Sequence, residues 1–97
     1  MNFFNYTIPN IGEDFTTLLK DKNIKVVRIV SSNNIKIKEY CQEENEFVLL
    51  LEGFATLEIN GKIKNLTKGD YLLIKANTPH KVLKTSKGAL WLAIHYN

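Results

Sequence analysis

The stretch that decides the fold is KGDYLLIKANTPH, Lys68 to His80. It opens on a Gly-Asp turn at Gly69-Asp70 and runs through the apolar strand Tyr71–Ile74. It then breaks at Asn77-Thr78-Pro79 and delivers one of only two histidines in the chain. Working outward, the same grammar recurs. Turn-forming residues punctuate the chain at 31–34 (SSNN), 42–45 (QEEN), Gly53, Asn60-Gly61 and 86–88 (SKG), and the runs between them are rich in Val, Ile, Leu, Phe and Tyr. Short strands separated by closely spaced turns predict an all-β sandwich or barrel. Asn60-Gly61 predicts a type I′ hairpin, because both central residues of that turn need positive φ. Its flank alternates as a strand should, with Leu57 and Ile59 on one face and Thr56 and Glu58 on the other.

Helical spacing occurs at 13–20 alone. Phe15, Leu18 and Leu19 fall at i, i+3, i+4, so this segment is expected to be a short helix or an N-terminal strand. Two strands are apolar on both faces. In EFVLLLE, Phe47, Leu49 and Leu51 oppose Val48 and Leu50; in ALWLAIHY, Leu90, Leu92 and Ile94 oppose Ala89, Trp91 and Ala93. An antiparallel sheet with one wet face alternates instead. A cover is therefore expected over the second face, either the N-terminal aromatic segment (Phe3, Phe4, Tyr6, Ile8) or the second subunit of a homodimer, or both.

Ninety-seven residues suffice for a single domain, residues 1–97, with one core. An apolar fraction of 44% argues against disorder. No apolar run is long enough for a membrane span, and the N-terminus has no positive charge ahead of its aromatics, so it does not read as a signal peptide. The lone cysteine, Cys41, has no internal disulfide partner, which suits a reducing cytosol. The net charge of +3 comes from lysines scattered along the chain, not from a basic block, so a solvated surface is the expected reading and nucleic-acid binding is not.

Glu46 is followed by six residues and then Gly53; Gly69-Asp70 comes next, and His80 lies eleven positions after Gly69. With the text VLLLEGFATLEINGKIKNLTKGDYLLIKANTPHKV between them, this spacing resembles the cupin family over about residues 34–96. The resemblance implies a small single-domain double-stranded β-helix, or jelly-roll barrel. In metal-binding cupins a second-motif histidine joins two histidines and a glutamate of the first motif around a divalent ion. Here that assigns Glu46 and His80 as ligands and Mn, Fe, Ni, Cu or Zn as candidate ions, since imidazole and carboxylate suit all of them.

The sequence departs from the pattern at the first-motif histidines. Counting back from Glu46 places them at Tyr40 and Gln42 in one register and at Glu39 and Cys41 in the other. Strand parity leaves both open, because Ile35 and Ile37 share a face with Glu39 and Cys41. Tyr40 and Gln42 are preferred, since Y-x-Q-E-E-x-E followed by an aromatic looks like a variant of small cupins, and a bulge before Tyr40 would restore parity. Lys75, Asn77 and Lys84 replace a proline, a glycine and an asparagine of the second motif; asparagine tolerates positive φ better than most residues.

The candidate pocket is thus Tyr40, Gln42, Glu46, His80 and His95, with Glu46 and His80 expected on neighbouring strands. Gln42, Glu46 and His80 are candidate metal ligands and His95 a weaker one. Each has a plainer reading: His80 as a turn cap, Glu46 at an exposed strand end, His95 at the surface or in a dimer contact, Gln42 in a loop, Tyr40 in packing. Cys41 lacks any activating neighbour in sequence. Three functions follow. One is a metal-dependent enzyme acting on a small polar organic molecule. Another is a metal-free cupin that binds a small ligand or serves as a sensing or accessory module. The last is a structural barrel with a vestigial pocket.

Overall fold

The computed structural model describes all 97 residues. Nine strands form the domain: β1 (Glu13–Asp21), β2 (Ile24–Ser31), β3 (Glu39–Tyr40), β4 (Asn45–Glu52), β5 (Phe54–Ile59), β6 (Lys62–Thr67), β7 (Tyr71–Ile74), β8 (His80–Thr85) and β9 (Ala89–Tyr96). They pair antiparallel throughout, in a five-stranded sheet ordered β1-β2-β9-β4-β7 and a four-stranded sheet ordered β3-β8-β5-β6. The architecture is an all-β jelly-roll barrel, the fold that the resemblance implies.

The turn chemistry explains the local order. Asn60 and Gly61 both take positive φ, at 49° and 81°, and join β5 to β6 as an Asn-Gly hairpin. Asp70 accepts a hydrogen bond from the Thr67 amide at 2.8 Å, and the Gly69 amide donates to the Leu50 carbonyl at 2.7 Å, which docks the Gly69-Asp70 turn against β4. Asn77 takes φ of 61°, and its amide donates to the Gln42 carbonyl at 2.7 Å. The turn ahead of His80 is thereby fastened to the loop that carries Gln42.

The interior lies between the sheets. Val27, Val48, Leu50, Leu57, Trp91 and Ala93 are among its fully buried members. Every second residue of β2, β4, β5 and β9 supplies it, as strand geometry requires.

Segment 13–20 is a strand, not a helix. Glu13–Thr17 pair with Val27–Ser31, and the register then slips between Thr17 and Leu19. Leu18 is the extra residue of a β-bulge. An inserted residue in a period-two pattern brings apolar side chains to three- and four-residue spacing, and that produced the helical signature.

The apolar second face of β4 and β9 is covered only in part. The N-terminal segment lies over the outer side of β2. Arg28 donates to the carbonyls of Phe3 at 2.9 Å and Asn5 at 3.3 Å, and its guanidinium sits 5.5 Å from the centre of the Tyr6 ring. Val30 and Leu90 are fully buried, whereas Phe47, Leu49, Leu92 and Ile94 remain half-buried.

Candidate functional site

Two cross-strand pairs build the site. In the four-stranded sheet Tyr40 on β3 stands opposite His80 on β8. In the five-stranded sheet Glu46 on β4 stands opposite His95 on β9. Glu46 and His80 therefore come from opposite sheets, not from neighbouring strands of one sheet. The sheets face each other, so the two pairs meet inside the barrel beside a cavity of about 320 Å³. Tyr40, Gln42, Glu46, His80 and His95 all line it, while Glu39 and Cys41 are exposed. β3 is only two residues long, so residues 33–38 never form the continuous strand on which the parity question depended.

Glu46 is the centre of the arrangement. Its side chain is 10% exposed. Its Oε1 accepts a hydrogen bond from the Gln42 amide nitrogen at 2.8 Å and lies 3.8 Å from His80 Nε2. Its Oε2 lies 3.7 Å from His95 Nε2. Both imidazole distances exceed hydrogen-bond length. The His80 ring is fixed by two contacts: Nδ1 lies 2.9 Å from the Thr78 carbonyl, and the ring stacks on Tyr40 with centroids 5.8 Å apart and planes inclined by 25°. A carbonyl only accepts, so in neutral His80 the proton sits on Nδ1 and Nε2 offers its lone pair towards Glu46 and the cavity. His95 Nδ1 is buried without a hydrogen-bond partner, with Glu44 Oε1 at 3.7 Å.

Glu13, from β1, lines the same cavity, as do Lys25 and the apolar side chains of Phe15, Val27, Val82 and Trp91. The Trp91 indole N–H donates to Ser31 Oγ at 3.0 Å, and the Ser31 hydroxyl donates to Glu13 Oε2. Ser31 is fully buried, so this relay orients the Glu13 carboxyl from behind. Burial raises the Glu13 pKa above the ordinary carboxylate value, and the Glu46 charge adds to that rise against the opposing Ser31 hydrogen bond. The Tyr40 phenol is also raised, by burial first and then by the charges of Glu13 and Glu46. The helical spacing at 13–20, which left the segment open between helix and strand, hid Glu13. Taken as a strand, EDFTT alternates Glu13, Phe15 and Thr17 on one face, which is the cavity face.

A divalent ion of the family type would draw on Gln42, Glu46, His80 and His95. The donor set does not fit one. Tyr40 and Gln42 stand where the resemblance puts two imidazoles. Gln42 turns its amide N–H, not its carbonyl, to Glu46, as it must opposite a group that only accepts. The two imidazoles approach different oxygens of the one carboxylate, and no group of three or more His, Cys, Asp or Glu side chains is arranged to hold an ion.

The family model described as "Cupin domain" matches residues 31–95. Solved structures match the whole architecture. One is a crystal structure from Ralstonia eutropha JMP134, provisionally assigned as a mannose-6-phosphate isomerase. It is 27% identical, with a TM-score of 0.87, and the match covers 100% of this chain and 96% of that one. An RmlC-like cupin from Shewanella frigidimarina is 18% identical with a TM-score of 0.80, covering 95% and 84% of the two chains. KdgF from a Halomonas species is 14% identical with a TM-score of 0.79, covering 88% and 80%. A search of curated proteins finds no match.

Proposed function

The chain belongs to the cupin family, and from that premise we propose that it binds a small polar organic molecule in the barrel without needing a resident metal. Tyr40, Gln42, Glu46, His80 and His95 contact that molecule. The observation that carries the reading is Glu46, a buried carboxylate with one oxygen engaged by the Gln42 amide and imidazoles on either side. Buried charges and hydrogen-bonding groups gathered beside an apolar-walled cavity are the usual form of a small-ligand site. His80 Nε2 and the free oxygen of Glu46 accept hydrogen bonds, or a proton, from a ligand O–H or N–H.

The metal-dependent alternative keeps one argument, the placement of Glu46 and His80 at family spacing with His95 beside them. Elemental analysis of the purified protein and thermal melts with Mn, Fe, Ni and Zn separate the readings. An ion bound only by the native state at a hundredfold excess over its Kd adds about 2.7 kcal/mol of stability. The expected result is no stoichiometric metal and no rise in Tm. Stoichiometric metal that disappears in His80→Ala overturns the metal-free reading.

We also infer a homodimer through the outer face of β4, β9 and β7. Phe47, Leu49, Leu92, Ile94, Tyr71 and Leu73 line it, all at least partly exposed and none charged. An apolar patch of this kind marks an interaction surface. Light scattering should give twice the chain mass, falling to the monomer in Leu49→Lys. A monomeric native protein defeats the inference.

A further inference from the structure

The protein carries a net charge of +3, yet the polar end of its cavity is acidic. Glu13 and Glu46 enter it from β1 and β4, and Lys25 is the one lysine or arginine that lines it.

The hydrogen-bond inventory points the same way. Four donors are engaged: the Gln42 amide on Glu46, the Ser31 hydroxyl on Glu13, the Trp91 indole on Ser31, and the nitrogen of His80 that faces Thr78. The Lys25 ammonium and the Tyr40 phenol still offer donors, but both carboxylates keep an oxygen that accepts none. Glu46 Oε2 is held in a side chain nine-tenths buried, accepts no hydrogen bond, and has its nearest basic neighbour, His95 Nε2, at 3.7 Å. His80 Nε2 and the second oxygen of Glu13 are also free to accept. Buried acceptors without donors are costly, and a ligand that brings donors relieves them. Around this end the cavity walls are apolar and aromatic, with Phe15, Val82 and Trp91 among them.

We propose that the pocket selects a small organic ammonium ion, whose N–H hydrogens meet Glu13, Glu46 and His80 while its hydrocarbon part lies against Phe15, Val82 and Trp91. This rests on the reading of the cavity as a ligand site and adds the chemical class of the ligand. An ammonium group supplies three donors and a positive charge where the protein offers acceptors and negative charge, and an aromatic wall favours a cation further. A phosphate or carboxylate in the same place faces two carboxyl groups and has only Lys25 for a counter-charge.

Three probes of matched size but different charge test this: butylamine, butyrate and 1-butanol, titrated into the full-length protein at neutral pH. The readout is the NMR signals of the Trp91 indole N–H and the two histidine rings. Butylamine should bind roughly ten- to a hundredfold more tightly than butyrate, the range expected for hydrogen bonds to charged groups, with 1-butanol between them. Glu13→Gln and Glu46→Gln, both isosteric, should each cut that margin about tenfold. If Glu46→Gln fails to fold, Glu13→Gln on the edge strand decides alone. Butyrate binding as well as butylamine, or a margin unchanged in Glu13→Gln, overturns the ammonium assignment and leaves the pocket reading standing. No response to any probe overturns both.

Discussion

Trp91→Ala should cost the domain about 3–5 kcal/mol, the range for deleting a large aromatic side chain from a packed interior. For a chain of this size that lowers Tm by roughly 15–30 °C. Trp91 is 4% exposed and sits in the core cluster with Val48, Leu50 and Ala93. It also starts the relay through Ser31 to Glu13, so the substitution removes a hydrogen-bond donor from the buried Ser31 hydroxyl as well as apolar surface. Trp91→Phe brackets the two effects: it keeps one buried aromatic ring but loses the N–H and the rest of the bicycle, and should cost about 1–3 kcal/mol, less than Trp91→Ala. Circular-dichroism melts of the three proteins check this; equal losses in the two variants would show that the aromatic ring kept by phenylalanine contributes no packing.

Gly53→Ala carries the second large effect, although it adds a single methyl group. Gly53 joins β4 to β5 at φ of 88°, in the region that side chains with a Cβ avoid. A Cβ built there meets the Ser86 hydroxyl and lies 3.1 Å from the Ala89 backbone Cα. The hydroxyl can move only by giving up its bond from the Phe54 amide at 3.0 Å, and the Ala89 backbone, fully buried in β9, cannot yield. Backbone strain and overpacking together should cost about 2–4 kcal/mol. Gly61→Ala is the contrast: its φ is also positive, at 81°, but nothing lies within 4 Å of the added methyl, so it should show the backbone penalty alone, about 1 kcal/mol. Denaturant unfolding of both variants checks the order; a Gly61 variant as damaged as the Gly53 variant would refute the steric account.

The placement of these residues shows why parts of the site were legible and parts were not. Gly69-Asp70, Asn60-Gly61 and Asn77 announce their turns because their backbone conformations demand those residue types, and the demand is local. Glu46 and His80 could be singled out by spacing. His95 could be named with them only as a weaker candidate, because its face was undetermined until Trp91 and Ala93 were seen to be buried. Glu13 was missed for a physical reason too: the Leu18 bulge imposed a helical spacing on a strand, and the wrong period hides which residues point inward.

The amino-acid order by itself determined most of the strands, the turns between them and the all-β class, since these depend on period-two alternation and on φ preferences that each residue carries alone, and its resemblance to the cupins implied the barrel. Only the tertiary structure decided the site. Tyr40 opposite His80 and Glu46 opposite His95 are pairings across strands distant in sequence, and their meeting depends on two sheets closing face to face. Burial of Glu46, the fixed proton of His80 and the acidity of the cavity are consequences of that closure, because solvent exclusion and through-space charge belong to the folded arrangement and to no single stretch of chain.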